Sequence, residues 1–261
     1  MPEIQLSASA KARLDAWKAE CSDGWIALCQ WIEKNGGSVG AYVSRNILQR
    51  LVVNAPVLLL YVLSCVLLHS IASFIYPDLS EIFGIEDKNT FAFGNPLAYS
   101  SLILHVFVHG DWTHLHGNMV HILLVGPAVE HEFGSLNYAI IIVLVAVSSA
   151  VAHMLIGKDH SYQLGASGVV FASILLSSLV SASHGTIPVS FVLVGLWWIG
   201  DEIFKFFFAS DATSHHAHIV GGVVGTLAGY YIQQHRAQVR ANNIASKWFH
   251  TSKLNILKKK T

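Results

Sequence analysis

Six long apolar runs, separated by polar connections, constrain this chain more than any other feature. They cover residues 52–75, 114–132, 137–157, 166–183, 187–208 and 216–234. A helix needs about 20 mostly apolar residues to cross a bilayer. Only 12% of the 261 residues are charged, against about 25% in soluble domains. The sequence therefore predicts an all-α, polytopic membrane protein built as a six-helix bundle.

The predicted bundle occupies residues 51–234, between two more polar ends. Residues 1–50 have apolar residues at helical spacing and no signal-peptide pattern, which predicts a small N-terminal cytoplasmic helical segment. Residues 235–261 are predicted to form a basic cytoplasmic tail. The connection of residues 76–113 is long, and such loops usually have a structure or function of their own.

The basic residues predict the orientation of the bundle. Most of them precede the first span or follow the last, and only Lys88, Lys158 and Lys205 lie between. Because basic residues favour the cytoplasmic side, both termini are expected there. Six spans also require both termini on one side. The second, fourth and sixth spans would then start at the outer face.

Four polar residues fall at the outer ends of these three spans. His114 and Asn118 lie in the second span, Ser167 in the fourth and His218 in the sixth. Polar groups at membrane depth are costly and usually face the protein interior or a water-filled cavity. Each alone is explained by helix packing or interhelical hydrogen bonding. Their common depth favours a shared site.

A glycine stripe predicts that the histidine meets the serine. The stripe contains His218, Gly221 and Gly225. Small residues on one helix face let two backbones approach closely, and Ser167 is itself flanked by Gly165 and Gly168. Packing of these two surfaces would bring the imidazole to the hydroxyl, as a nucleophilic serine requires.

The same span ends supply donors for an oxyanion. His114 and Asn118 are four residues apart on one helix face, and both carry N–H groups. The backbone N–H of Ser167 is free at the start of a helix. No acidic third member is apparent, so the sequence predicts a two-residue dyad. No nucleotide-binding motif appears and the net charge is zero, which implies no cofactor and no nucleic-acid partner.

With these residues in place, the sequence resembles the rhomboid family of intramembrane serine proteases. The matching stretches are "HVFVHGDWTHLHGNM", "GPAVEHEFGS", "GASGVVF" and "AHIVGGVVG". The resemblance implies that Ser167 is the nucleophile and His218 the general base. It also implies that His114 and Asn118 complete the oxyanion hole. Glu130 would hold together, through hydrogen bonds, the second connection, which joins the second and third spans.

The resemblance further implies a partly embedded first connection, with His105 at the base of the site, and a fifth span that gates substrate entry. Substrates would be single-span membrane proteins, cut near the outer leaflet in contact with membrane lipids. The sequence departs from the family pattern in two ways. Ser100 and Ser101 stand where many rhomboids have a Trp–Arg pair, and Phe171 stands where many have a tyrosine that stacks on the catalytic histidine.

Two other functions fit parts of the sequence. The histidine clusters "HVFVH", "HGDWTH" and "HHAH" resemble the histidine boxes of membrane di-iron oxidases, and imidazole is a suitable iron ligand. Those boxes face the cytoplasm, whereas the clusters here fall on the outer side. A rhomboid-like protein that binds membrane helices without cutting them is the second alternative.

Overall fold

The computed structural model describes residues 8–46, 48, 51–157, 161–180, 186–208 and 214–258. Within these residues the chain forms ten α-helices and one short two-stranded ladder. The chain divides into two units, residues 1–56 and 57–261. The predicted predominance of helix is therefore confirmed.

The first unit is a pair of helices, α1 (Ala8–Asn35) and α2 (Gly37–Asn46). Gly37 joins them with a φ of +60°, a left-handed conformation that glycine adopts without strain. The Ser44 hydroxyl donates to the carbonyl of Cys29 at 2.6 Å, and both residues are buried. This hydrogen bond links the two helices.

Eight further helices follow from Pro56 onward. They are α3 (Pro56–Phe74), α4 (Leu79–Phe83), α5 (Ser101–Leu104), α6 (Trp112–Phe133), α7 (Ser135–Ile156), α8 (Ser167–Leu179), α9 (Val189–Phe208) and α10 (His215–Lys258). All except α4 and α5 coincide with predicted spans. By length and composition, α3 and α7 are suited to crossing a membrane, and α8 is a shorter apolar helix. The α10 helix continues far beyond residue 234, so the predicted tail starts inside a helix.

The long connection between α3 and α6 has its own structure. It contains α4, strand β1 (Ile85–Glu86), a 3-10 turn at Pro96–Ser100 and α5. β1 pairs antiparallel with β2 (Tyr162–Gln163), which precedes α8. The carboxylate of Asp87 also accepts a hydrogen bond from the backbone N–H of Ser161 at 3.2 Å. These contacts tie the connection to the segment that leads into α8.

The α8 helix is at the centre of the second unit. It contacts α6, α7, α9 and α10, and nine of its 13 residues are buried. The Ser173 hydroxyl lies 2.9 Å from the hydroxyl of Tyr138 on α7, which fixes α8 against its neighbour. The first residue of α8, Ser167, therefore lies at one end of the most enclosed helix.

Candidate active site

Ser167 and His218 are in hydrogen-bond contact. The His218 Nε2 atom lies 2.7 Å from the Ser167 Oγ atom. Ser167 is the first residue of α8, so its backbone N–H has no acceptor within the helix. His218 lies in the first turn of α10 and is 9% exposed. A serine hydroxyl next to an imidazole nitrogen is the pairing that serine nucleophiles use.

Glycines bring these two helices together. A Cβ atom on Gly221 would lie 2.9 Å from the Cα atom of Gly168. One turn further along α10, a Cβ atom on Gly225 would overlap the Cβ atom of Ala172. Backbones this close require small residues on both sides. The structure thus places the predicted glycine stripe of α10 against the start of α8.

A third glycine, Gly165, makes room for His114. Its φ is +116°, and a Cβ atom there would lie 2.5 Å from the His114 ring. At the start of α6, the Asp111 carboxylate accepts a hydrogen bond from the backbone N–H of His114 at 2.8 Å. That bond lowers the pKa of Asp111. His114 is consequently held against the segment that precedes Ser167.

Asn118 lies one turn beyond His114 in α6 and is 8% exposed. Its amide nitrogen is buried and has no hydrogen-bond partner among the residues that the structure describes. Leaving a buried donor unpaired costs free energy. An unpaired donor is also what an oxyanion site contains before a substrate arrives.

An aromatic ring supports the other side of the imidazole. Phe171, one turn after Ser167, stacks on His218 with ring centroids 4.7 Å apart and planes at 15°. Trp198 of α9 packs edge-on against Phe171 at 5.0 Å. The phenyl ring therefore occupies the stacking position that the resemblance assigns to a tyrosine, without offering a hydroxyl.

Two histidines of the long connection hold the chain just before Ser167. The carbonyl of His105 accepts from the backbone N–H of Gly165 at 2.9 Å, and His109 Nε2 accepts from the backbone N–H of Ala166 at 3.3 Å. Both side chains are fully buried. Burial lowers the pKa of His105 to about 4 and that of His109 to about 3. These two histidines therefore position Gly165 and Ala166, directly before Ser167. The sequence did not predict such a role for His109.

The partners of Glu130 differ from the expected ones. Its carboxylate accepts hydrogen bonds from the backbone N–H groups of Val57 and Leu58 at 3.1 and 2.8 Å. Both donors belong to the first turn of α3, whose N–H groups lack acceptors within the helix. Glu130 therefore caps α3. The resemblance implied hydrogen bonds to the second connection; the hydrogen bonds observed among the described residues run to α3 instead, because the first-turn N–H groups of that helix need an acceptor.

An acidic residue does join the serine–histidine pair. The Glu202 Oε2 atom of α9 lies 3.0 Å from His218 Nδ1 and 2.7 Å from His215 Nδ1. The prediction that no acid accompanies the pair was therefore wrong. The sequence did contain a signal for this residue. Asp201 and Lys205 are spaced at i, i+4 and pair with each other. Glu202 is then an acid in an apolar helix, and such an acid needs a partner from elsewhere.

The same three residues could also hold a metal ion. One ligand atom each from Glu202, His215 and His218 lies within 4.8 Å of the others, and this is the one such group among the described residues. Two imidazoles and a carboxylate form a common zinc ligand set. Here, however, both imidazoles are at hydrogen-bond distance from a single carboxylate oxygen, an arrangement that is complete without an ion.

Comparison with known proteins identifies the family. The family model for the rhomboid domain matches residues 96–235, which is more than half of the chain. The chain is 24% identical over 153 residues to "Rhomboid-like protein 11, chloroplastic" of Arabidopsis thaliana, covering 54% of this chain and 55% of the relative. It is 28% identical over 152 residues to "Rhomboid-related protein 1" of Caenorhabditis elegans, covering 54% and 42%.

The chain spans about half the length of these two curated relatives. The match to the family model runs from the 3-10 turn at Pro96–Ser100 to residue 235 in α10, and so includes Ser167 and His218. The resemblance found in the sequence is confirmed, and the chain belongs to the rhomboid family of membrane proteins.

Proposed function

We propose that this protein is an intramembrane serine protease that cleaves single-span membrane proteins. The observation that carries the proposal is the 2.7 Å contact between Ser167 Oγ and His218 Nε2. The unpaired amide of Asn118 and the free backbone N–H at the start of α8 support it. Together these groups supply a nucleophile, a base and donors for the oxyanion.

In this mechanism, Ser167 Oγ attacks the carbonyl carbon of the scissile peptide bond while its proton passes to His218 Nε2. The oxyanion forms next to Asn118, His114 and the Ser167 N–H. The C–N bond then breaks, and His218 returns the proton to the leaving amine. Water attacks the acyl-enzyme, its proton passes to His218 and then to the departing Ser167 Oγ, and the carboxylic acid product leaves.

The proposed topology has six spans, with both termini in the cytoplasm and the site open toward the outer side. The distribution of basic residues supports this orientation. With 13 residues, α8 is about 20 Å long, shorter than the hydrocarbon core of about 30 Å. Ser167 would therefore lie below the outer surface, where a substrate helix entering from the bilayer reaches it.

The test is cleavage by the purified full chain in lipid vesicles, with a tagged single-span substrate and a metal chelator. We expect a new fragment from the wild type, cut near the outer end of the substrate helix. Ser167→Ala and His218→Ala should yield none. Ser178→Ala is the control, because that hydroxyl donates to the carbonyl of Leu175 in its own helix. Cleavage by Ser167→Ala would overturn the proposal.

Labelling by a fluorophosphonate probe gives a second readout that does not depend on the choice of substrate. We expect the probe to label wild-type protein at Ser167 and to leave Ser167→Ala unlabelled. A folded wild-type protein that neither cleaves nor becomes labelled would favour a binder of membrane helices without protease activity.

A further inference from the structure

Glu202 is the single buried residue of α9. The rest of this helix is half-buried or exposed, and large apolar side chains such as Leu196, Trp197 and Phe207 are 68 to 80% exposed. A carboxylate within an otherwise apolar segment is costly unless it is paired. Glu202 is 5% exposed, and its partners come from α10 rather than from its own helix.

Both partners are imidazole Nδ1 atoms that converge on one oxygen. His215 Nδ1 and His218 Nδ1 lie 2.7 and 3.0 Å from Glu202 Oε2. A carboxylate only accepts hydrogen bonds, so each Nδ1 atom carries the proton. In a neutral imidazole, the other nitrogen is then an acceptor. For His218 this acceptor is Nε2, the atom that lies 2.7 Å from Ser167 Oγ.

We propose that Glu202 is a positioning residue that completes a Ser167–His218–Glu202 triad. It holds His218 in the tautomer that takes the serine proton, and its negative charge stabilises the imidazolium formed when that proton arrives. His215 fixes the carboxylate through a second hydrogen bond to the same oxygen. This proposal rests on the proposed protease function and replaces a dyad with a triad.

Glu202→Gln is the principal test, in the vesicle assay with the tagged single-span substrate. The amide removes the charge and can present N–H to Nδ1, which favours the wrong tautomer. We expect kcat to fall by about 10²- to 10⁴-fold, as for the orienting acids of other serine proteases, with KM little changed. Glu202→Asp should restore part of kcat. Asp201→Asn is the matched control, because it loses the same charge one residue away and should keep wild-type kcat.

Nitrogen NMR of the wild-type protein gives a second readout, which does not depend on whether the Glu202 variants fold. We expect the His218 ring, assigned with His218→Gln, to show a protonated Nδ1 and an unprotonated Nε2. The opposite tautomer would overturn the proposal. So would an unchanged kcat in Glu202→Gln while the wild type cleaves, and in that case the protease function would stand. Absence of wild-type cleavage and of fluorophosphonate labelling would overturn both.

Discussion

Gly221 on α10 lies so close to Gly168 on α8 that a Cβ atom on Gly221 would be 2.9 Å from the Gly168 Cα atom. Gly168 follows Ser167 directly, and Gly221 is one helical turn after His218. The distance between the two helices is therefore set directly beside the contact between Ser167 and His218. A change in that distance moves the imidazole relative to the hydroxyl.

Gly221→Ala should separate α8 from α10, because the new methyl group meets backbone rather than a movable side chain. We expect the free energy of unfolding to fall by about 1–3 kcal/mol. Cleavage should fall by about 10²-fold, the effect of a displacement near 1 Å. Gly222→Ala is the control, since its Cβ atom would meet two side-chain atoms: the end of Leu175 at 3.2 Å and, at an ordinary contact distance of 3.8 Å, the Cβ atom of Phe171. Equal losses in both variants would argue against a specific role for the Gly168–Gly221 contact.

Asn118→Ala should lower turnover without unfolding the protein. Removal of one oxyanion donor costs about 10²- to 10³-fold in kcat, whereas loss of an unpaired buried donor does not weaken the fold. Cleavage rates and thermal unfolding in detergent would be measured together. Asn137→Ala is the control, because that amide donates to the carbonyl of Phe133. A parallel loss of stability and turnover in Asn118→Ala would assign Asn118 a packing role instead.

Glu130→Gln should destabilise the protein, because an amide oxygen replaces the carboxylate at the start of α3. Hydrogen bonds to a charged group contribute about 1.5–3 kcal/mol each, so we expect the free energy of unfolding to fall by about that amount. Denaturant unfolding in micelles would measure it. Glu132→Gln, on the half-exposed side of the same helix, should have little effect. Full stability of Glu130→Gln would show that the cap of α3 is dispensable.

The fold should lose stability as the pH falls below about 6.5. Burial lowers the pKa of His109 to about 3, so at pH 5 the unfolded chain binds a proton there and the folded chain does not. The stabilising contribution of the neutral His109 side chain is thus fully present above about pH 6.5 and declines below that pH. The His69 and His114 rings neighbour the His109 ring. The negative charge of Asp111 partly opposes the lowering of the His109 pKa.

Thermal midpoints of the wild type and His109→Gln between pH 5 and pH 8 would test this expectation. We expect a smaller decline in the variant, whose side chain does not titrate in this range. His121→Gln is the control, because His121 is exposed. The same slope in all three proteins would show that protonation of His109 does not contribute.

Added Zn²⁺ should inhibit cleavage, and a chelator alone should leave it unchanged. An ion bound by Glu202, His215 and His218 would need the lone pair of His218 Nδ1, so the ring proton would move from Nδ1 to Nε2, which could then no longer accept from Ser167. His215→Asn should make inhibition by Zn²⁺ weaker. Mg²⁺, which prefers oxygen ligands, is the control ion. Loss of cleavage in the chelator would instead indicate that the protein requires a metal.

The sequence predicts the helices of the second unit well, because runs near 20 apolar residues have few other structures available. It also predicts the contact between α8 and α10, since the stripe that begins at His218 permits close approach only on that face. The continuation of α10 beyond residue 234 was not predicted. The apolar pattern stops there, while residues with good helix propensity such as Gln, Arg and Ala continue.

Contacts between residues distant in sequence were the ones that the sequence did not reveal. Glu130 is 72 residues from Leu58, and Glu202 is 16 residues from His218 on a different helix. Local spacing suggests partners only within a helix turn or two. The two-residue pairing of β1 with β2 is too short to produce an alternating pattern.

Because Glu202 is the single buried residue of α9, its position also determines how far each end of this helix would move in a tilt. Glu202 lies 13 residues from the first residue of the helix, Val189, a distance of about 20 Å along the axis. A tilt of the helix axis by roughly 10° about Glu202 would therefore displace Val189 by about 3 Å. The Glu202 carboxylate, at the centre of that rotation, would hardly move. Such a tilt would displace the start of α9 while leaving the contact between Glu202 and His218 in place.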